Sequence, residues 1–324
     1  MAAAAESASL ARLQALLDSP DAAVRLVAVR EVADACAPEL LPVIERALGD
    51  SEAEVRLEAA TALDAIGGAE SVAPLIRALS DADREVRELA AKALAENKSP
   101  EGAGALLHAL SGAAGVWAIA ALLEALKPLR NEAAARPALR LFGHADAGVR
   151  AAAVGVIGYL RFPAALPELL ELGAADTSAS VRQAALRALV SAPPEAVASA
   201  ALRALGDAEW SIRAEAAAIL GKLRHAAAAD ALTGLVDFDT QWQVREQAVE
   251  ALGLLRHKPA VPAIGRCLGT PVSNLRKSAV IALGRIGDRS VRLLLTTVRD
   301  DPDAQVRKLT AQLLEQLERE SDPA

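Results

Sequence analysis

The residues of this chain that could ligate a metal or activate a nucleophile are four histidines, His108, His144, His225 and His257, and two cysteines, Cys36 and Cys267. None stands in a spacing that such chemistry requires, since no HExxH, HxH, His-Glu or CxxC arrangement occurs. His225 and His257 each follow Leu-Arg at equivalent points of a recurring pattern. That places them about 8 to 10 Å apart on neighbouring helices, whereas a shared zinc holds its ligands about 2 Å from the metal. They read instead as residues at helix C-termini, where they and Arg224 and Arg256 meet the negative end of the helix dipole. Gly102-Ala103-Gly104 follows no strand and is no phosphate cradle. No serine or cysteine has a positioned base. No catalytic residue, metal ligand or cofactor site is expected.

The elements that carry these residues follow from composition. Of 324 residues 53% are hydrophobic, yet only three Trp, one Tyr and three Phe are present, so a core must be built from Ala, Leu, Val and Ile. Apolar residues recur at three and four, and no hairpin dipeptide separates alternating runs; this is the pattern of helices and excludes a sheet protein. A chain this apolar, with 35 basic against 42 acidic residues, collapses and is not disordered. The isolated cysteines predict free thiols in a reducing compartment. The Met1 to Ala5 stretch meets Glu6 at once and has no basic flank, so neither a secretion signal nor a membrane span is expected, and a cytoplasmic location is.

Self-similarity organises the whole chain. A branched apolar residue followed by Arg recurs at Val24-Arg25, Val55-Arg56, Val86-Arg87, Val149-Arg150, Val181-Arg182, Ile212-Arg213, Val244-Arg245, Leu275-Arg276 and Val306-Arg307. The arginines are 31 or 32 residues apart except for one interval of 63, whose middle member reads Val116-Trp117. Ten repeats over about residues 9–317, with a short polar tail at 319–324, leave no room for another domain, so one domain spanning 1–324 is expected. Within a unit, Val55, Ala59, Ala62, Leu63 and Ile66 fall on one helical face, and Gly67-Gly68 ends the helix. A second stretch, Val72 to Leu79, turns Leu75, Ile76 and Leu79 inward, with Pro74 in its first turn. One such hairpin cannot cover its own apolar stripe. Neighbours must stack, giving an all-α solenoid of about ten hairpins wound as a right-handed superhelix. The last helix turns polar at Lys308, Gln312, Glu315 and Gln316, as a solvent-facing cap does.

Strings such as AVPAIGRCLGTPVSNLRKSAVIALGRIGD, Ala260 to Asp288, resemble HEAT repeats, and most closely the short form of phycobilisome-lyase-like HEAT proteins, from about Ser9 to Leu317. The resemblance implies an interaction scaffold, and that the Val-Arg helices line a concave face. It also gives the recurring arginine a structural reading. Asp50, Asp81, Asp176, Asp207, Asp239 and Asp301 stand six residues before an arginine of the series, and Asp21 and Asp146 four before. In similar proteins such pairs form a ladder that bridges adjacent repeats and caps helix starts.

Other functions found on this architecture fit less well. A bilin-lyase-like enzyme or enzyme-associated subunit would need an activated cysteine, and neither cysteine has an evident activating neighbour. The di-iron hydroxylases built on HEAT repeats need the missing His-Glu pairs. HEAT-like DNA glycosylases need a basic groove, and an isoelectric point near 5.3 makes nucleic acid an unfavoured partner. Charge is nonetheless uneven: residues 1–101 hold 10 basic and 19 acidic residues, and residues 241–299 hold 10 and 3. This basic C-terminal third leaves a nucleic-acid alternative open, beside a polarised surface that orients a partner and plain surface variation.

The binding signal is aromatic. Trp210 and Trp242 each stand three residues before the recurring arginine in adjacent repeats, off the Val/Ala/Leu stripe. Exposed tryptophans are over-represented at binding hot spots. With Ser211, Glu215, Gln243, Glu246, Asn274 and Lys277 around them, they form the expected contact for a protein or peptide on the concave face of a monomer. Packing between repeats is the competing reading. Trp117, placed by the series at the ladder arginine's own position, either fills a void between repeats four and five or extends the aromatic surface. Its broken ladder, with Gly112, Gly115 and Lys127-Pro128, makes repeat four the expected bend.

Overall fold

The computed structural model describes residues 11–35, 40–113, 115–288 and 290–321, and no strand occurs among them. The chain divides into two compact units, Met1–Ala165 and Leu166–Ala324. In the first, short helices α1 (11–16), α3 (Leu41–Ala47), α5 (Val72–Ala78), α7 (Ala103–Gly112) and α9 (Ala135–Arg140) alternate with α2 (Ala22–Ala35), α4 (Ala53–Ile66), α6 (Arg84–Glu96), α8 (Val116–Leu126) and α10 (Ala147–Leu160). In the second, α11 (Leu166–Ala175), α13 (Pro194–Ala204), α15 (Ala229–Phe238), α17 (Val261–Cys267) and α19 (Val291–Thr296) alternate with α12 (Ala179–Ala188), α14 (Trp210–Lys222), α16 (Trp242–Leu255), α18 (Ser273–Ile286) and α20 (Ala304–Ser321).

Within each unit every even-numbered helix packs on the next even-numbered helix. From α3–α4 onward each also packs on the odd-numbered helix before it. Each unit is thus a stack of helical hairpins, the α-solenoid that the repeat demands. The division falls after the fifth hairpin, and α8 packs against both α6 and α10.

The stripe read from sequence is the core. In α4, Val55, Ala59, Ala60, Ala62 and Leu63 are buried, while Ile66 is half-buried. Gly67 ends the helix at φ 62°, its N–H donating to the Leu63 carbonyl at 3.0 Å. In α5 and its C-cap, Leu75 and Leu79 are buried and Ile76 half-buried. Lys308, Gln312, Glu315 and Gln316 on α20 are all exposed.

Four turns that follow helices place arginine in the left-handed region: Arg130, Arg161, Arg224 and Arg256 have φ of 49–51°. Arg161 and Arg256 cap α10 and α16. The N–H groups of His225 and His257 close the turns on Leu220 and Leu252 at 3.0 and 3.1 Å. Both histidines therefore lie just past helix C-termini, as expected. A side chain in the left-handed region crowds its own backbone, so Arg256→Gly should stabilise the chain by roughly 0.5 kcal/mol after the added freedom of glycine in the unfolded state is deducted. The urea midpoint measures it, and a lower midpoint would contradict the strain.

Candidate functional site

Most of the ladder arginines are spent on the scaffold. Arg56 Nε and Nη2 donate to the Asp81 carboxylate at 2.8 and 2.9 Å, and Nη1 donates to the carbonyls of Asp50 and Ser51 in its own preceding loop. Asp81 in turn accepts the Asp83 N–H at 2.8 Å. The same bidentate pairs join Arg25 to Asp50, Arg182 to Asp207, Arg213 to Asp239 and Arg276 to Asp301, at 2.7–3.0 Å. Each pair spans two repeats. Their guanidinium groups hold Asp50, Asp81, Asp207 and Asp301 below the usual carboxylate range. For Asp239 burial pushes the other way, but the Arg213 bond and its neighbours still leave the value lowered. Asp21 and Asp146 accept the Ala23 and Val149 N–H groups as helix caps.

Elsewhere the ladder departs from this pattern. Where the series expects an aspartate, Thr270 stands, and Arg245 turns to the Val236 carbonyl at 2.9 Å and the Cys267 sulfur at 3.7 Å. At the position of His144 the ring Nδ1 takes over the cap, accepting the Asp146 N–H at 3.0 Å.

The third departure corrects the register of repeat four. In α6 the valine before Arg87 is buried, followed by Ala90, Ala93 and Leu94. In α8, Val116 is 45% exposed, and burial falls instead on Ile119, Leu122, Ala125 and Leu126. Ile119 thus occupies the arginine's position, and Trp117 lies two residues ahead of it, in the first turn. The tryptophan is 41% exposed and borders a cavity shared with α5, α6 and α7 on the side of repeat three.

In the second unit, Trp210 and Trp242 each open a helix, α14 and α16, and the two helices pack together. Trp210 is 39% exposed; Trp242 is half-buried. Ser211 beside Trp210 lies 3.4 Å from the Glu209 carboxylate that caps the helix. Gln243 beside Trp242 has a buried Oε1 with no hydrogen-bond partner among the described residues. Asn274 is exposed, and Lys277 faces Asp303 at 3.7 Å. Glu215 is engaged by α12, accepting from Gln183 Nε2 at 3.0 Å and Arg187 Nε at 2.8 Å. Glu246 and Glu250 both lie against the Ser278 hydroxyl, at 3.3 and 3.2 Å. Burial, and then the charge of Glu250, push the Glu246 carboxyl up, against the opposing pull of Ser278 and Lys277. Sequence reasoning missed Gln183, Arg187, Glu250 and Ser278. The i,i+4 spacing of Gln183 with Arg187 and of Glu246 with Glu250 was the available signal.

The chemistry-bearing residues do not converge. No group of His, Cys, Asp and Glu among the described residues could hold a metal ion. Cys267 has a cationic neighbour after all, Arg245, yet burial outweighs it and pushes the thiol up. Cys36 lies outside the described residues. No helix among the described residues is long and apolar enough to cross a membrane.

Comparisons with known proteins agree with this geometry. No curated protein matches the chain. Among solved structures, Kap121p superposes with a TM-score of 0.66 at 14% identity over 97% of this chain, and structures of it bound to Nup53p and to Ste12p match in the same way. This chain spans 42% of the length of Kap121p. YibA of E. coli matches at 18% identity and a TM-score of 0.53, over 90% of this chain and 96% of its own. Human deoxyhypusine hydroxylase, an enzyme, matches at 20% identity over 79% of this chain and 99% of its own, but its TM-score of 0.36 carries no argument about chemistry. The model of HEAT repeats matches residues 9–95, 135–191, 166–252 and 235–315. With the stacked hairpins and the arginine ladder, this match establishes that the chain belongs to the HEAT-repeat family.

Proposed function

We propose that this protein is a non-catalytic, cytoplasmic interaction scaffold that takes a protein or peptide on the concave face of its Val-Arg helices, with the main contact at repeats seven to nine. The observation that carries the reading is the exposed Trp210 beside the half-buried Trp242 at the first positions of two packed helices. The polar groups around them are of both signs, as at a binding rim around an aromatic centre. That Kap121p is found bound to protein partners supports a scaffold in general terms.

The alternatives lose support for stated reasons. In the basic segment Arg245, Arg276 and Lys277 are engaged with protein groups and largely enclosed, and Arg266 and Arg292 are paired with acids, which competes with phosphate contacts. A lyase-like reaction at Cys267 would need a thiolate, which burial disfavours there.

The test is partner affinity and thermal midpoint measured together for Trp210→Ala, Trp242→Ala and the double variant, using partners captured from the source cell. Loss of about 2 kcal/mol of binding with the midpoint held marks hot spots. A steep fall in midpoint with affinity per folded molecule unchanged would make the tryptophans packing residues and overturn the site.

A further inference from the structure

Arg87 is a ladder arginine without a rung. Its Nη1 donates to the carbonyls of Asp81 and Ala82 at 2.7 and 2.9 Å, as the other arginines do with their own loops. Its Nε and Nη2, the atoms that grip a carboxylate in the pairs described above, have no acceptor among the described residues. The place of the missing acid is Ala113. It lies as far beyond Arg87 as Asp239 lies beyond Arg213, and it follows its helix with the same backbone, φ −71° and ψ 126° against −70° and 134°. What remains beside Arg87 is a cavity of about 550 Å³ bordered by Ile76, Leu79, Ser80, Trp117 and Leu122, with no acidic residue in its lining.

We propose that this cavity is a binding site for an acidic peptide segment of a protein partner: an aspartate or glutamate carboxylate closes on Arg87 Nε and Nη2 as the absent rung, and an adjoining apolar residue packs on Trp117. The chain itself displays the recognition chemistry. Four of its own rung aspartates follow an apolar residue by one or two positions, in Leu48-Gly49-Asp50, Leu79-Ser80-Asp81, Leu205-Gly206-Asp207 and Phe238-Asp239, while Asp301 follows Arg299-Asp300. A cationic fork matches such a carboxylate in shape and charge, and the cavity is far larger than the carboxylate alone, leaving room for the apolar neighbour. The site shares no residue with the contact assigned around Trp210 and Trp242, so either assignment stands or falls without the other.

The experiment uses the full chain carrying Trp210→Phe and Trp242→Phe, which leaves Trp117 as its only tryptophan. The probes are the blocked tripeptide acetyl-Leu-Gly-Asp-amide and its Asn counterpart. The expected result is a saturable change in Trp117 emission with the Asp peptide, at a Kd on the order of 1 mM, and at least about tenfold weaker binding of the Asn peptide. Ala113→Asp should supply the rung internally, abolish binding and raise the thermal midpoint. Arg87→Gln should erase the preference for Asp over Asn, and decides the matter if Ala113→Asp does not fold. Equal binding of the two peptides, no saturable response up to about 10 mM, or unchanged Asp-peptide binding in either variant would overturn the site. Acetate competing as strongly as the peptide would overturn its assignment to a protein partner.

Discussion

Asp301→Ala should cost about 3 to 4 kcal/mol of stability, the largest loss expected from any surface-loop substitution in the second unit. Asp301 and Arg276 form the most enclosed of the rungs described above, with side chains 4% and 9% exposed and both bonds at 2.8 Å. Truncating the acid leaves the Arg276 charge half-desolvated with only the Thr270 and Pro271 carbonyls on Nη1. It also frees the Asp303 N–H that the carboxylate accepts at 2.8 Å. Replacing both partners, Arg276→Met with Asp301→Ala, should recover a large part of the loss, because the penalty lies mainly in the stranded charge. Urea unfolding of the two singles and the double measures the coupling, and a double variant no better than the sum of the singles would refute the pairing.

Protonation should do to all the rungs what the alanine does to one. Asp50, Asp81, Asp207, Asp239 and Asp301 lie below the ordinary aspartate value of 3.8 in the folded chain. The unfolded chain therefore binds protons first as pH falls, and stability drops with pH in that range. The stability these acids contribute is complete above the unfolded value and disappears as pH falls through the lowered folded values. The thermal midpoint should be level from about pH 7 to 5 and fall steeply below about pH 4. A single-rung variant should show a shallower fall, and an identical one would mean that other groups control acid unfolding.

How much of this was legible in the sequence depended on whether the signal was carried by identity or by burial. The ladder was legible because Asp and Arg are chemically distinct and their offset repeats, so Asp81 and Asp207 could be placed without coordinates. Repeat four was not, because Val116-Trp117 imitates the Val-Arg pair by type while the buried stripe runs two residues later, through Ile119 and Leu122. At the candidate site the positions of Trp210 and Trp242 at their helix starts follow from the repeat. Their unequal exposure does not, since it depends on neighbouring repeats rather than on their own. Glu215 looked like a free rim acid for the same reason: its partners, Gln183 and Arg187, are a whole repeat away. The contact of Arg245 with Cys267 arises only because Thr270 stands in place of an aspartate, a local exception whose consequence is tertiary.

Leu-Gly recurs at 220–221, 252–253 and 283–284, in the last turns of α14, α16 and α18, and the glycines set how closely those helices approach. A Cβ on Gly221 would lie 2.7 Å from the Ala251 Cα, and one on Gly253 would lie 2.8 Å from the Ala282 Cα. In both cases the obstacle is backbone of the next repeat, which cannot rotate away as a side-chain tip can. Both glycines are buried within these interfaces. Gly253→Ala should therefore cost about 1 to 3 kcal/mol by overpacking, and Gly221→Ala with Gly253→Ala roughly 3 to 5 kcal/mol, because two successive repeat interfaces are forced apart. Intrinsic propensity predicts the opposite sign, since Ala is favoured over Gly inside a helix by about 1 kcal/mol. Gly234 in α15 isolates that term: a Cβ there meets nothing within 4 Å, so Gly234→Ala should gain up to about 1 kcal/mol. Urea midpoints of the three variants decide between the two effects. If Gly253→Ala matches Gly234→Ala in sign, the helices relax freely and close approach is not what the glycines provide. Opposite signs would make them the spacers of the stack, and because stability in such a stack passes from neighbour to neighbour, the Gly221/Gly253 variant should unfold over a broader urea range than the parent chain, as repeats on either side of α16 uncouple.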